Sequence, residues 1–288
     1  MRIPAGLDWW RGQPGGTDWL ARLPAIVAEC AERWALELEP PFEPARVALV
    51  VPAGDVVLKV SFPEEESEHE AEALVHFGDV AVELVAQAPE LRALLVERCR
   101  PGTTLWRVAD DEEAMGIAAT VLAELWREAP SDHRFRSLEA EARRWIDELP
   151  ADWEALGRPF ERALIDRAVA GLRELGPTQS NAVVLHQDFH GANVLRAERR
   201  EWLAIDPKPL VGEREFDAAS LLRDRRWEIG QAGAVGRVGR RLDYLSATLG
   251  LDRERMRGWG IAHALAWGIS ATKLEHDMVE CARLLASA

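Results

Sequence analysis

The 288-residue sequence carries three cysteines, Cys30, Cys99 and Cys281, odd in number and far apart, with no C-x-x-C pair. That usage excludes a disulfide framework and a thiolate zinc site and fits reduced thiols. No stretch reaches the ~18 uninterrupted apolar residues of a membrane-spanning helix. The N-terminal run MRIPAGLDWWRGQPGG lacks the apolar core of a signal peptide. The expectation is a soluble, cytoplasmic protein. Basic charge is also in short supply: 35 Lys and Arg face 49 Asp and Glu, a net charge of −14. This argues against nucleic acid or an anionic membrane as partner and is compatible with a cationic ligand. Lysine itself is nearly missing. It occurs only at Lys59, Lys208 and Lys273, so 32 of the 35 basic residues are arginine, and each lysine invites a question.

Hydrophobic residues make up 48% of the chain, enough for a sizeable core, and at roughly 100–200 residues per domain the length predicts two lobes. Residues 18–37 place Leu20, Leu23, Ile26, Val27, Cys30 and Trp34 at helical spacing. After the breaker EPPFEP, the runs ARVALVV and VVLKV flank Pro52-Ala53-Gly54-Asp55, a β-hairpin pattern. A helix is expected from near Glu65, and a buried strand over Ala93 to Glu97 leads into a Pro-Gly turn. From Asp110 onward helical periodicity dominates: 110–128, 137–148, about 158–175, 214–228, 231–248 and 253–287 with breaks. Only 183–206 interrupts it with strand character. The expected organisation is a β-rich N-terminal lobe over 1–98, a connector near 98–103, and a helical C-terminal lobe over 99–288.

The segment VVLHQDFHGANVL, residues 183–195, loads His186, Asp188, His190 and Asn193 between short aliphatic runs. Burying such a cluster is costly unless every group finds a partner. His186, Asp188 and His190 alternate, so in an extended strand they would share a face and could chelate a metal, but His263 and His276 lie on separate predicted helices with no matching ligand pattern. A structural polar turn is a second reading. The third is a phosphotransfer loop, since His186-x-Asp188-x-x-x-x-Asn193 has the spacing of H-R-D-x-x-x-x-N. There a carboxylate accepts or orients the acceptor's hydroxyl proton, and a neutral oxygen ligand holds Mg²⁺. That template demands a second metal carboxylate after a β-hairpin, and VLR and WLAID, around the turn AERRE, end at Asp206. It also demands a lysine late in an N-lobe strand with a helical glutamate partner. Lys59 in VVLKV answers the first demand, and Glu70 or Glu72 the second, with Glu70 preferred because it stacks on Leu74. Replacing Lys59 with Met is expected to spare the fold. No G-x-G-x-x-G precedes Lys59, which argues against a eukaryotic-type protein kinase; phosphate cover would come from the VPAGDV turn.

Together, LHQDFHGANVL and LAIDPKPLVGEREFDAASLL resemble the aminoglycoside phosphotransferases, and within them the streptomycin 6-kinase and hydroxyurea phosphotransferase branch, through Pro207, Lys208, Gly212, Glu213, Arg214, Phe216 and Asp217. The resemblance spans about residues 34 to 275. It implies an α+β, bilobal, protein-kinase-like fold, with ATP and Mg²⁺ as cosubstrates and a small hydroxyl compound as acceptor. It implies Asp188 as catalytic base, Asn193 and Asp206 as metal ligands, and Lys59 with Glu70 positioning phosphates. Asp217 and His186 would brace the catalytic loop. Glu97 to Cys99 would present backbone groups to adenine, and His190 would contact the γ-phosphate. The expected acceptor is cationic, most of all streptomycin, met by Glu275, Asp277 and Glu280 on a late helix, with the protein acting as a monomer. The alternatives are a kinase of another small metabolite or of a hydroxyurea-like compound, and a catalytically weak nucleotide-binding sensor of the same fold. Intact Asp188, Asn193, Asp206 and Lys59 favour the enzyme.

Overall fold

The computed structural model describes residues 2–43, 45–180, 182–225 and 230–288. The chain divides into two compact units, one of residues 1–102 and 196–205, the other of 103–195 and 206–288. No helix among the described residues is long and apolar enough to cross a membrane.

In the first unit, helix α1 (Gly16–Arg33) precedes strands β1 (Ala48–Ala53) and β2 (Val56–Ser61). Valine-rich runs favour the pleated, half-buried backbone, and Gly54 supplies the left-handed φ of 63° that a two-residue hairpin turn needs. The register pairs Ala53 with Val56 and Val50 with Lys59. Helix α2 (Glu70–Phe77), β3 (Leu84–Ala88) and β4 (Ala93–Glu97) complete an antiparallel sheet of order β1-β2-β4-β3. Leu20, Leu23, Ile26 and Val27 of α1 join Leu49, Val51, Leu58, Val60 and Leu95 in one apolar core.

Two boundaries and one strand of this unit differ from the sequence expectation. Helix α1 stops at Arg33, because Ala35 turns left-handed (φ 51°) and the Leu36 N–H bonds back to the Ala31 carbonyl. Helix α2 starts at Glu70, not near Glu65. The Ser67 hydroxyl bonds the carbonyls of Phe62 and Glu64 (3.3 Å each) and holds this stretch in a turn that competes with the helix ladder. Strand β3 escaped the sequence reading because it is an edge strand with Val85 exposed.

The second unit is built on α3 (Asp111–Leu125), the two-residue strand β5 (Arg136–Ser137), α4 (Leu138–Ala155) and α5 (Arg162–Leu175). Strand β6 (Val183–Leu185) follows. The hairpin of β7 (Val194–Arg196) and β8 (Trp202–Ala204), of which residues 196–205 belong to the first unit, then leads to β9 (Leu210–Gly212). Next come α6 (Arg214–Leu222), α7 (Ala234–Leu249), α8 (Arg253–Gly268), the tiny hairpin β10 (Ile269–Ser270)–β11 (Lys273–Leu274), and α9 (His276–Ser287). Helix α6 ends at Leu222, and residues 226–228 of the expected helix 214–228 lie outside the described residues. Helix α8 is the central element, packed on α5, α6 and α9, with Trp259 fully buried. The small sheet β5-β9-β6 was not foreseen. Its antiparallel register pairs Leu185 with Leu210 and Val183 with Gly212, which ties the approach to the polar loop to the segment after Asp206. A Cβ at Gly212 would meet Leu138 at 2.5 Å, so the close packing of β9 on α4 requires glycine there.

Candidate active site

Strand β6 is wholly buried, and the polar loop begins where it ends. Residue Gln187 is forced into the left-handed region (φ 64°), an uncommon conformation for a residue with a side chain. The surroundings over-determine it. Asp217 on α6 accepts the backbone N–H of His186 (2.9 Å) and of Gln187 (2.7 Å), and also the indole N–H of Trp126 (3.1 Å). The Ser220 hydroxyl, one turn along α6, donates to the Gln187 carbonyl (2.6 Å), and Arg136 donates to the Gln187 side-chain oxygen (3.0 Å). Burial pushes the Asp217 carboxyl up to about 6, against the opposing pull of those three donors. His186 is fully buried, its ring edge-on to Phe189, and its carbonyl accepts the N–H of Asp188 (2.8 Å) and of Lys208 (3.0 Å). The loop and the segment after Asp206 are thereby joined through one backbone oxygen.

Held this way, the loop brings Asp188, His190 and Asn193 together. His190 Nε2 lies 3.4 Å from Asp188 Oδ1, while its Nδ1 accepts the Ala192 N–H (3.2 Å). A ring proton on Nε2 therefore faces the carboxylate. Asn193 donates its amide nitrogen to the Asp188 carbonyl (3.0 Å), which leaves its oxygen as the acceptor end. Burial by itself would raise the Asp188 carboxyl, but His190, Arg223 and Lys208 together hold it well below the ordinary carboxylate value. At neutral pH it is ionised, as a proton acceptor must be. Trp106 stacks on His190 (5.4 Å, 18°) and donates its indole N–H to Asp224, which also accepts the Gly191 N–H (2.9 Å). Gly191 lets the ring approach, since a Cβ there would fall 2.5 Å from Trp106.

Asp206 is half-buried and left-handed (φ 59°), two residues beyond the end of β8 rather than at the end of the strand as the sequence reading had it. Among the described residues no cluster of three or more His, Cys, Asp and Glu is arranged to hold a metal, so the alternating His186-Asp188-His190 set is not a chelate. Asn193 and Asp206 offer instead one amide and one carboxylate oxygen. Such hard donors suit Mg²⁺, which keeps several waters and takes its remaining ligands from phosphates.

In the first unit Lys59 Nζ lies 2.6 Å from both carboxylate oxygens of Glu70, with both side chains buried. Glu72 is exposed and faces His69 (3.6 Å), so the partner of Lys59 is Glu70. Glu97 is gripped by Arg199 (2.9 Å), which also reaches the carbonyls of Asp79 and Ala81. Cys99 is half-buried, and burial pushes its thiol up to about 12. On α9 and the turn before it, Glu275 pairs with Lys273 (2.6 Å), Glu280 with Arg283 (2.8 Å), and Asp277 is exposed.

Several site residues were missed from the sequence: Ser220, Arg223, Trp106, Asp224 and Trp126. Ser220 and Arg223 follow Asp217 at three-residue steps, one helical face, and that spacing was the available signal. Glu213 turns out to be architectural. It is fully buried and bound by Arg255 (2.8 Å) and the indole N–H of Trp259.

The profile described as aminoglycoside/hydroxyurea antibiotic resistance kinase matches residues 43–277. A streptomycin 6-kinase of Streptomyces griseus is 36% identical over 279 residues, covering 92% of this chain and 89% of its own. A hydroxyurea phosphotransferase of Kitasatospora aureofaciens is 33% identical over 262 residues, covering 88% and 74%. Among solved structures, choline kinase LicA from Streptococcus pneumoniae superposes with a TM-score of 0.63 at 13% identity over 93% of this chain and all of its own. Aminoglycoside phosphotransferase APH(3'')-Id from Streptomyces rimosus, in complex with ADP and streptomycin, gives 0.59 at 18% identity over 86% and 99%. The fold is thus the α+β, protein-kinase-like one that these kinases share. By the profile and the relatives alike, the chain belongs to the aminoglycoside/hydroxyurea antibiotic resistance kinase family and is a small-molecule kinase.

Proposed function

We propose that the protein is an ATP- and Mg²⁺-dependent O-phosphotransferase acting on streptomycin, in the cytoplasm and as a monomer. The observation that carries this reading is the braced loop that sets an ionised Asp188 beside His190 and Asn193. The similarity to a streptomycin 6-kinase over most of the chain supports the choice of acceptor, and the three free cysteines fit a reducing compartment. The net charge of −14 favours a cationic acceptor over an anionic one.

In this mechanism Asp188 orients the acceptor hydroxyl and takes up its proton as the new O–P bond forms and the bridging O–P bond of the nucleotide breaks, leaving ADP. Lys59, fixed by Glu70, holds the nucleotide phosphates, and the backbone of Glu97 to Cys99 faces the adenine. Asn193 and Asp206 would hold Mg²⁺, which would offset charge on the phosphates. His190, with its proton on Nε2, donates toward the transferred group. Glu275, Asp277 and Glu280 recognise the acceptor's cations. Because Lys273 and Arg283 already neutralise two of the three, their contribution is the smallest part of this reading.

The test is streptomycin-dependent ADP release with mass-spectrometric detection of phosphostreptomycin, using Asp188→Ala as control. Loss of a general base lowers turnover by roughly 10²–10⁴-fold. Transfer to hydroxyurea or another metabolite but not to streptomycin would overturn the acceptor and leave the phosphotransferase; nucleotide binding without transfer to any acceptor would favour the sensor.

A further inference from the structure

Arg223, the residue that caps the C-terminal end of α6, is buried, with 7% of its surface exposed. A guanidinium carries five N–H donors. Here Nη2 donates to Asp188 Oδ1 (2.9 Å), Nε is buried without a partner, and no other hydrogen bond joins the group to the described residues. Burying a guanidinium with its Nε donor unpaired is costly. The guanidinium lies over the ring of Trp267 on α8 (4.8 Å), and the same ring carries the ammonium of Lys208 at 5.0 Å. Two cations on one indole repel each other, and the ring quadrupole relieves only part of that. Beneath them His263 packs on Trp267 (4.5 Å) with both ring nitrogens unpartnered. Burial, followed by the Arg223 and Lys208 charges, holds His263 well below its ordinary value, so this floor is neutral and supplies no counter-charge.

We propose that Arg223 and Lys208, presented together by Trp267 beside Asp188, form a two-cation site that grips the phosphoryl group during its passage to the acceptor oxygen. The inference rests on the phosphotransferase reading above and adds two catalytic residues to it, with Trp267 as a positioning residue. In phosphoryl transfer the charge to be stabilised is spread over three equatorial oxygens of the moving group, and preorganised donors do this work. The planar fork of Arg223 suits two of those oxygens while its Nη2 keeps Asp188 aligned for the proton. Lys208, anchored by its backbone N–H to the carbonyl of His186 (3.0 Å), brings a point charge from the other segment. The bonds formed and broken are those of the transfer itself, and neither residue changes its protonation.

The experiment needs no acceptor. Wild type, Arg223→Met, Arg223→Lys and Lys208→Met are titrated by calorimetry with Mg²⁺-ADP, then with Mg²⁺-ADP plus aluminium fluoride, a planar mimic of the moving phosphoryl group. Mg²⁺-ADP affinity is expected to stay the same in all four. The gain from fluoride is expected to fall about 10²-fold in each Met variant, with Arg223→Lys in between. Circular dichroism checks the folds. Lys208→Met removes one of the charges that lower Asp188 but keeps the Arg223–Asp188 hydrogen bond and α6 as they are, so it decides the matter alone if Arg223→Met does not fold. An undiminished fluoride gain in Lys208→Met overturns the inference. So does a wild type that gains nothing from fluoride, and if that wild type still phosphorylates an acceptor, the phosphotransferase reading stands without this site.

Discussion

Asp217 is the point where the energetics of the polar loop at 186–193 are most exposed to measurement. Its carboxyl is fully buried and accepts three hydrogen bonds, two of them from the backbone of His186 and Gln187. Burial outweighs those donors and lifts the group from an ordinary 3.8 to about 6. A group raised in the folded state binds its proton more tightly there, so its stabilising contribution is complete below the unfolded value and is lost as pH climbs through about 6. Each tenfold gain in proton affinity is worth about 1.4 kcal/mol, so roughly 3 kcal/mol of stability disappears between pH ~4 and ~6. Asp217→Asn removes this titration, and its amide nitrogen faces N–H donors that the carboxylate accepted, so the loop loses a brace at Gln187. The expected result is a stability gap between wild type and variant that is larger by about 2 kcal/mol near pH 4.5 than at pH 7, measured by urea unfolding across that range. A kcat loss from misplacing Asp188 should accompany it at every pH. A gap that grows as pH rises would refute the reasoning, because the three donors would then outweigh burial.

The sequence expectation that Lys59→Met spares the fold meets a buried ion pair, with side-chain exposures of 11% and 4%. The substitution strands Glu70 and should cost about 3–5 kcal/mol, which thermal melting will detect; Lys59→Met/Glu70→Leu should recover most of that stability without recovering turnover. Asp206→Ala should abolish the Mg²⁺ dependence of nucleotide binding, because the Asn193 oxygen alone cannot compete with the ion's hydration; calorimetry showing unchanged Mg²⁺-ATP affinity would place the metal elsewhere. Gly191→Ala puts a Cβ 2.5 Å from Trp106 and 3.0 Å from Asp224. It should displace the indole from His190, lower kcat, and alter the tryptophan fluorescence, with no change in either refuting the packing argument.

The local pieces of this protein were legible in the chain. Alternating valines around a Gly-Asp turn specified the β1–β2 hairpin, because the period of two and a residue tolerant of positive φ are local properties. The spacing of His186, Asp188 and Asn193 marked a polar loop, and the structure gathers Asp188, His190 and Asn193 there, with Asp206 two residues past the next hairpin. The choice between Glu70 and Glu72 was not legible, since both lie on α2 and only its packing decides which carboxylate turns to Lys59. Ser67 delayed the start of α2 through a side-chain bond that no periodicity records. Arg223 stands 35 residues from the Asp188 it touches, Trp267 a further 44 along, and the Asp217 carboxylate reaches back 31 residues to His186. A residue's type and spacing are written in the chain. Whether its charge is buried, which donors it satisfies, and which it leaves unspent were settled only when α6 and α8 closed over the loop, because burial and hydrogen bonding between distant segments exist only in three dimensions.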